Sequence, residues 1–217
     1  MKMTWLSWDK MCDSKVEGGL GFRQLKQFNM ALLAKQGWRL QTQHESLVYH
    51  VYKAKYFPCI DFIHASLGTH PSYTRRSLMA AQHLVKKGTR WNVGNGDSIR
   101  VWGDKWLASS STYKVTSPRQ FPHVETRVSE LISHELATWK NPVIDAIFLP
   151  HKAKLIKSIP LTSHLLDDKL VWAATSNDLF TVWSAYMLAM EESHPSNRGT
   201  SSDSSMNRRF WKMLWRL

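Results

Sequence analysis

The sequence predicts an α+β fold, mostly helical with two short β-hairpins. Three observations carry this. Apolar residues recur at helical spacing in several segments, two stretches switch to strict alternation around turn-forming residues, and 43% apolar against 21% charged residues is a globular composition. A chain of 217 residues allows one domain or two small ones and is long enough to bury a core.

Gly18, Gly19 and Gly21 interrupt any regular element at the start, because glycine costs stability at each interior helix position. An amphipathic helix is predicted over about 24–41, with Leu25, Phe28 and Leu32 on one face, Leu33, Gly37 and Leu40 on an adjoining one, and Lys26, Lys35 and Arg39 on the polar side. A second helix over about 46–56 places Leu47, Val51 and Ala54 together and ends before Pro58. A third starts beyond Pro71 and Ser72, turns Leu78, Ala81 and Val85 inward, and stops at Gly88 in the left-handed cap position. Lys53 and Lys55, then Lys86 and Lys87, close the last turns of the second and third helices, where the helix dipole favours cations.

The period then changes. Trp91, Val93, Ile99 and Val101 alternate around Gly94-Asn95-Gly96-Asp97, predicting a first hairpin with an odd-length loop that sets Val93 opposite Ile99 and keeps one face apolar. Serine-rich sequence with Pro118 marks a boundary near 109–120. Helices are predicted over 128–139, 142–148 and 151–158. A second hairpin follows, with Leu170 and Trp172 opposite Phe180 and Val182 across Thr175-Ser176-Asn177-Asp178, then a helix over 184–192. The stretch 193–205 reads as a mobile linker, and 208–217 as an apolar-basic helix cut short. The predicted organisation is therefore a basic helical unit with the first hairpin (1–107), a linker (108–120), a smaller α+β unit (121–192), a flexible linker (193–205) and a final segment (206–217).

Charge points to a partner. Lysine and arginine exceed aspartate and glutamate by 12, with +9 in residues 1–107 and +3 in the remainder. A surplus of this size attracts phosphates without reading sequence. Two cysteines, Cys12 and Cys59, are too few for a disulfide framework and lack the spacing of a zinc or redox pair, so a reducing compartment is expected. No apolar run approaches the roughly 20 residues that span a bilayer, and the N-terminus has no apolar signal stretch. The expectation is an intracellular protein, in nucleus or cytoplasm rather than secreted, with no membrane partner.

Catalytic readings each lack a second group. Asp167 and Asp168 are paired carboxylates, but a two-metal site draws on a third from another strand, and turn acids ahead of a strand explain them. Gly94 and Gly96 have the look of a phosphate cradle, yet neither a helix nor a Lys-Ser or Lys-Thr pair follows, which favours a hairpin turn. His44, His50, His64 and His70 miss the i, i+4 spacing of metal ligands, and there is no Gly-x-Ser-x-Gly elbow. The prediction is no catalytic residue, no metal and no cofactor. Of the eleven tryptophans, Trp91, Trp102, Trp106 and Trp172 are expected in the core, with Trp5 and Trp8 less constrained.

Several runs carry a resemblance. Trp8 with Cys12 and Lys15, Gly18-Gly19-Leu20-Gly21-Phe22-Arg23, Ala31-Leu32-Leu33-Ala34-Lys35-Gln36-Gly37-Trp38-Arg39 and Lys53-Ala54-Lys55-Tyr56-Phe57-Pro58 lie in the first third. Arg90-Trp91, Trp102, Asp104 with Trp106-Leu107, Ile159-Pro160-Leu161, Leu170-Val171-Trp172 and Phe180-Thr181-Val182 follow. Together they resemble plant LINE-type (non-LTR) retrotransposon polyproteins, in the region after the reverse transcriptase palm and before the zinc-binding segment. Trp211 and Trp215 look like the opening pair of that segment. The sequence departs from the pattern at Arg75, where tryptophan is usual, at Asp178, where glycine is common, and at Trp183, where a basic residue is common.

The resemblance implies a connecting piece without polymerase or ribonuclease H carboxylates. Similar pieces occur in plants as separate reading frames, including mitochondrial ones, so it leaves the compartment open. The expected function is a non-catalytic remnant with a sequence-independent hold on an RNA or DNA backbone through Lys53, Lys55, Arg75, Arg76, Lys86, Lys87 and Arg90. Two rivals are a thumb or connection piece acting in trans with an intact reverse transcriptase, and an interaction module or translated fragment without a selected role. Self-association is expected through Phe210, Trp211, Leu214 and Trp215.

Overall fold

The computed structural model describes residues 6–13, 15, 18–107, 112–115, 126–162 and 164–193. Most of the expected linker at 108–120, the stretch 194–205, the final helix and the four apolar residues proposed for self-association lie outside them. The class is the expected one, a mostly helical α+β chain with two small antiparallel sheets. Eight helices are described: α1 (Trp8–Cys12), α2 (Leu25–Thr42), α3 (Leu47–Tyr56), α4 (Tyr73–Ala80), α5 (Gln82–Gly88), α6 (Asn141–Ile147), α7 (Pro150–Lys157) and α8 (Val182–Ser193). None is long and apolar enough to cross a membrane. The chain divides into two compact units, one of residues 1–37, 66–84 and 181–217, the other of residues 38–65 and 85–180.

In the first unit, Ser7 and Ser72 cap α1 and α4, the Ser72 hydroxyl accepting from the Arg75 N–H. Thr181 does the same for α8 through the Ser184 N–H. The Tyr186 hydroxyl of α8 accepts from the Gln24 N–H, and the Tyr186 ring meets Phe28 edge-on at 6.2 Å. Leu78 and Ala81 are buried as expected, but the third helix is two: Ala81 ends α4 before α5 resumes.

The buried line of α2 is the expected one only in part: Gly37 and Leu40 of the adjoining face are buried, but the face of Leu25 and Leu32 is not. Ala31, Ala34 and Leu40 are buried, whereas Leu25 and Leu32 are exposed. Three of the four buried positions are alanine or glycine, so most of this inner face is marked by small size rather than bulk. On α3, Leu47 and Val51 are likewise exposed and no residue is buried, while Phe57, just beyond it, is buried.

The second unit carries both sheets. Strand β1 (Thr89–Asn92) pairs antiparallel with β4 (Lys169–Trp172), setting Thr89 opposite Trp172 and Asn92 opposite Lys169. This corrects both expected hairpins, because the two stretches of alternation are partners of each other. The segment 128–139, expected as a helix, is a 3-10 turn (Val128–Leu131) followed by a tight pair of β2 (Ile132–Ser133) and β3 (Thr138–Trp139). Leu131 and Ile132 are both fully buried in succession, and Ala137 turns with φ +47°. The helical reading accounts for neither.

The core of this unit joins Val93, Ile99, Val101, Trp106 and Leu107 to Val128, Leu131, Ile132, Ile144 and Ile156. Val93 and Ile99 are thus both buried, though no hairpin pairs them. Trp106 is fully buried with its indole N–H donated to the Val101 carbonyl. Trp172 is fully buried too, edge-on to Trp38 at 5.7 Å and to Phe180 at 4.5 Å. Trp91 and Trp102 only flank the core, and Trp8 is exposed.

Gly88 has no positive φ and so is no left-handed cap. A Cβ built there would fall 2.2 Å from the Trp172 ring, so glycine is present for close approach.

Candidate functional site

An open cleft of about 660 Å³ lies within the second unit. Strand pairing builds one wall: β1 presents Arg90 and Trp91, and β4 presents Lys169 and Leu170. The end of α5 adds Lys86, and the chain beyond β1 adds Arg100, Lys105, Lys114 and Arg127. Seven cationic side chains therefore line one cavity beside three carboxylates, Asp61, Asp104 and Asp168.

Each carboxylate is already engaged by the protein. Asp61 meets the Lys53 ammonium at 3.4 Å, and Asp104 accepts the Arg100 N–H at 2.8 Å. Asp168 accepts three backbone N–H groups, from Gly94 at 2.8 Å and Gly96 at 2.9 Å on Oδ1 and from Ser98 at 2.8 Å on Oδ2. The 94–98 loop is thus a cradle for an anion, and the anion is the chain's own carboxylate, not a hairpin turn and not a phosphate. Asp167 supports the same loop through the Asn95 amide at 3.3 Å.

Lys105 is half-buried in the cleft. Its ammonium donates to the Lys86 and Lys87 carbonyls at 2.7 and 2.9 Å, at the carbonyl end of α5. Burial lowers its pKa, and the neighbouring charges of Lys114 and Lys87 lower it further. Arg90 reaches both oxygens of Asp178 from one nitrogen, at 2.8 and 2.9 Å. Asp178 has φ +58°, a conformation that favours glycine. The departure from glycine at this position thus places an acid where it fixes a cleft arginine.

The seven cations proposed from sequence are distributed. Lys86 and Arg90 line the cleft. Lys53 and Lys55 belong to the same unit but do not line it: Lys53 binds the Ile60 carbonyl and Asp61, and Lys55 lies 5.5 Å over the Tyr56 ring. Lys87 contributes its carbonyl to Lys105. Arg75 and Arg76 belong to the other unit, where Arg75 donates to the Ser66 carbonyl at 2.9 Å. Arg100, Lys105, Lys114, Arg127 and Lys169 escaped sequence reasoning. All but Lys169 come from irregular chain, and Lys169 comes from a strand whose partner lies about eighty residues earlier.

Among the described residues no group of three or more His, Cys, Asp and Glu is placed to hold a metal ion, and Cys12 and Cys59 are free. The fold and cleft define a small α+β protein with a concentrated cationic cavity. Comparison with known proteins gives its relationships. The uncharacterized mitochondrial protein AtMg00310 of Arabidopsis thaliana is 41% identical over 107 residues, which is 49% of this chain and 70% of that protein. The chain belongs to that protein's family. The Arabidopsis thaliana protein named "Putative ribonuclease H protein At1g65750" is 29% identical across 98% of this chain, which spans about a third of that relative's length. No protein-family model and no solved structure matches.

Proposed function

We propose that this chain is a transposon-derived, non-catalytic protein that holds an RNA or DNA backbone in the cationic cleft. The observation that carries the reading is the gathering of seven lysines and arginines around one cavity whose carboxylates are all bound internally. Support for the origin comes from similarity along nearly the full chain to a relative named as a ribonuclease H protein, together with the LINE-type motifs. In this reading the chain corresponds to the stretch between palm and zinc-binding segment of a non-LTR polyprotein.

Fluorescence anisotropy with a labelled oligonucleotide tests it. With three to five phosphates engaged, affinity between about 50 and 200 mM salt falls by about 40- to 500-fold for a duplex and by about 20- to 130-fold for a single strand. Lys114→Glu and Lys169→Glu weaken binding, whereas Lys152→Glu on α7, outside the cleft, does not. Salt-insensitive binding, or equal effects of all three variants, sinks the proposal.

Lys105 adds a pH signature. Because its pKa lies below the ordinary lysine value of 10.5, the cleft loses a positive charge earlier on alkalinisation than a surface lysine site does. Affinity at fixed ionic strength therefore starts to fall at lower pH than an ordinary lysine would dictate, and Lys105→Arg moves that fall upward. Superimposable profiles for the two proteins contradict this role.

A further inference from the structure

The cleft is not lined by charge alone. Trp91 and Tyr49 line it with His44 and His64, and the His44 and Tyr49 rings lie 4.7 Å apart. Trp91 is half-buried, its body against the core and its backbone N–H held by the Lys105 carbonyl at 2.6 Å. Packing against the core already orders this side chain, so a contact made with it in the cleft costs little further ordering on binding. The cavity volume, about 660 Å³, falls within the range of roughly 300–1,000 Å³ that encloses small ligands. That is room for a short stretch of unpaired nucleotides. A double helix stacks its bases inside and carries its phosphates on a convex outer surface, so it rests across the rim and reaches no ring within.

We propose that the cleft selects single-stranded nucleic acid, with the phosphates held by the cations of β1, β4 and the chain around Lys105, and unpaired bases stacked on Trp91 and Tyr49. This rests on the nucleic-acid reading above and adds a substrate class to it. Stacking on aromatic side chains tolerates any base, so the preference is for strandedness and not for sequence.

The test uses the full chain and three fluorescent 12-mers at about 50 mM salt: a single strand, the same sequence annealed as duplex, and a sugar-phosphate strand lacking bases. The single strand binds at least about tenfold tighter than the other two, the scale set by one stacked base. Trp91→Leu removes most of that margin, with its fold checked by its circular dichroism spectrum and thermal unfolding. Trp91→Phe retains the margin. Equal affinity for all three ligands overturns the single-strand inference while leaving the electrostatic reading intact. An undiminished preference in Trp91→Leu also overturns it. Absence of binding to any of the three overturns the electrostatic reading and the inference with it. The base-free strand needs no substitution, so the comparison stands even where a variant fails to fold.

Discussion

Replacing Asp168 by alanine lowers the unfolding free energy by about 2–4 kcal/mol in denaturant titrations. Three backbone N–H groups, of Gly94, Gly96 and Ser98, lose one shared acceptor. Hydrogen bonds to a charged group are each worth about 1.5–3 kcal/mol, and the total is discounted because the site is only half-buried and the bonds are not independent. The loop is also closely packed on the neighbouring backbone. A Cβ at Gly94 would fall 1.9 Å from the Leu166 carbonyl oxygen, and one at Gly96, with φ +80°, would fall 2.5 Å from the Ser129 nitrogen. Asp168→Asn separates geometry from charge: Oδ1 still serves Gly94 and Gly96, but an amide NH₂ now faces the Ser98 N–H, so about half of the loss is expected. An alanine variant within about 0.5 kcal/mol of the parent rules out this role for Asp168.

The loop also shows where local pattern stops being informative. Gly94-Asn95-Gly96-Asp97 is a turn signal at short range, and any reading confined to neighbouring residues closes a hairpin on it. The acceptor that orders it lies more than seventy residues away, and β1 finds its partner in β4 rather than across the loop. Elements set by their own residues were legible: α2, α3, α6, α7 and α8 all begin and end within about two residues of their expected bounds, because local signals act inside the element, such as the Ser46 and Thr181 caps of α3 and α8 and the prolines that open α6 and α7. The buried face of α2 was legible only in part: Gly37 and Leu40 lie on it as expected, but Ala31 and Ala34 carry little hydrophobic signal beside Leu25 and Leu32. The cleft follows the same division. Lys86 and Arg90 stand out at a helix end and a strand start, but Arg100, Lys105 and Lys114 are isolated along the sequence and converge only after β1 and β4 pair.

Gly88→Ala is expected to cost about 2–4 kcal/mol, a large effect for one methyl group. The added Cβ would stand 2.2, 2.6 and 2.7 Å from Cη2, Cζ3 and Cζ2 of Trp172. The indole has no room to retreat: it is fully buried, meets Trp38 and Phe180 edge-on, and those two rings are stacked on each other at 6.0 Å. The backbone cannot yield cheaply either, because the Gly88 carbonyl accepts the Ala173 N–H at 2.8 Å and Thr89 begins the pairing with Trp172. Strain here bears on the cleft, since β1 and β4 carry Arg90 and Lys169 into it. A double-mutant cycle with Trp172→Leu isolates the cause. Trp172→Leu alone is destabilising through the cavity it leaves, but with Gly88→Ala the new methyl group occupies part of that space. The two changes together then cost clearly less than their sum. Strict additivity shows that Gly88 is required for something other than the approach of this indole.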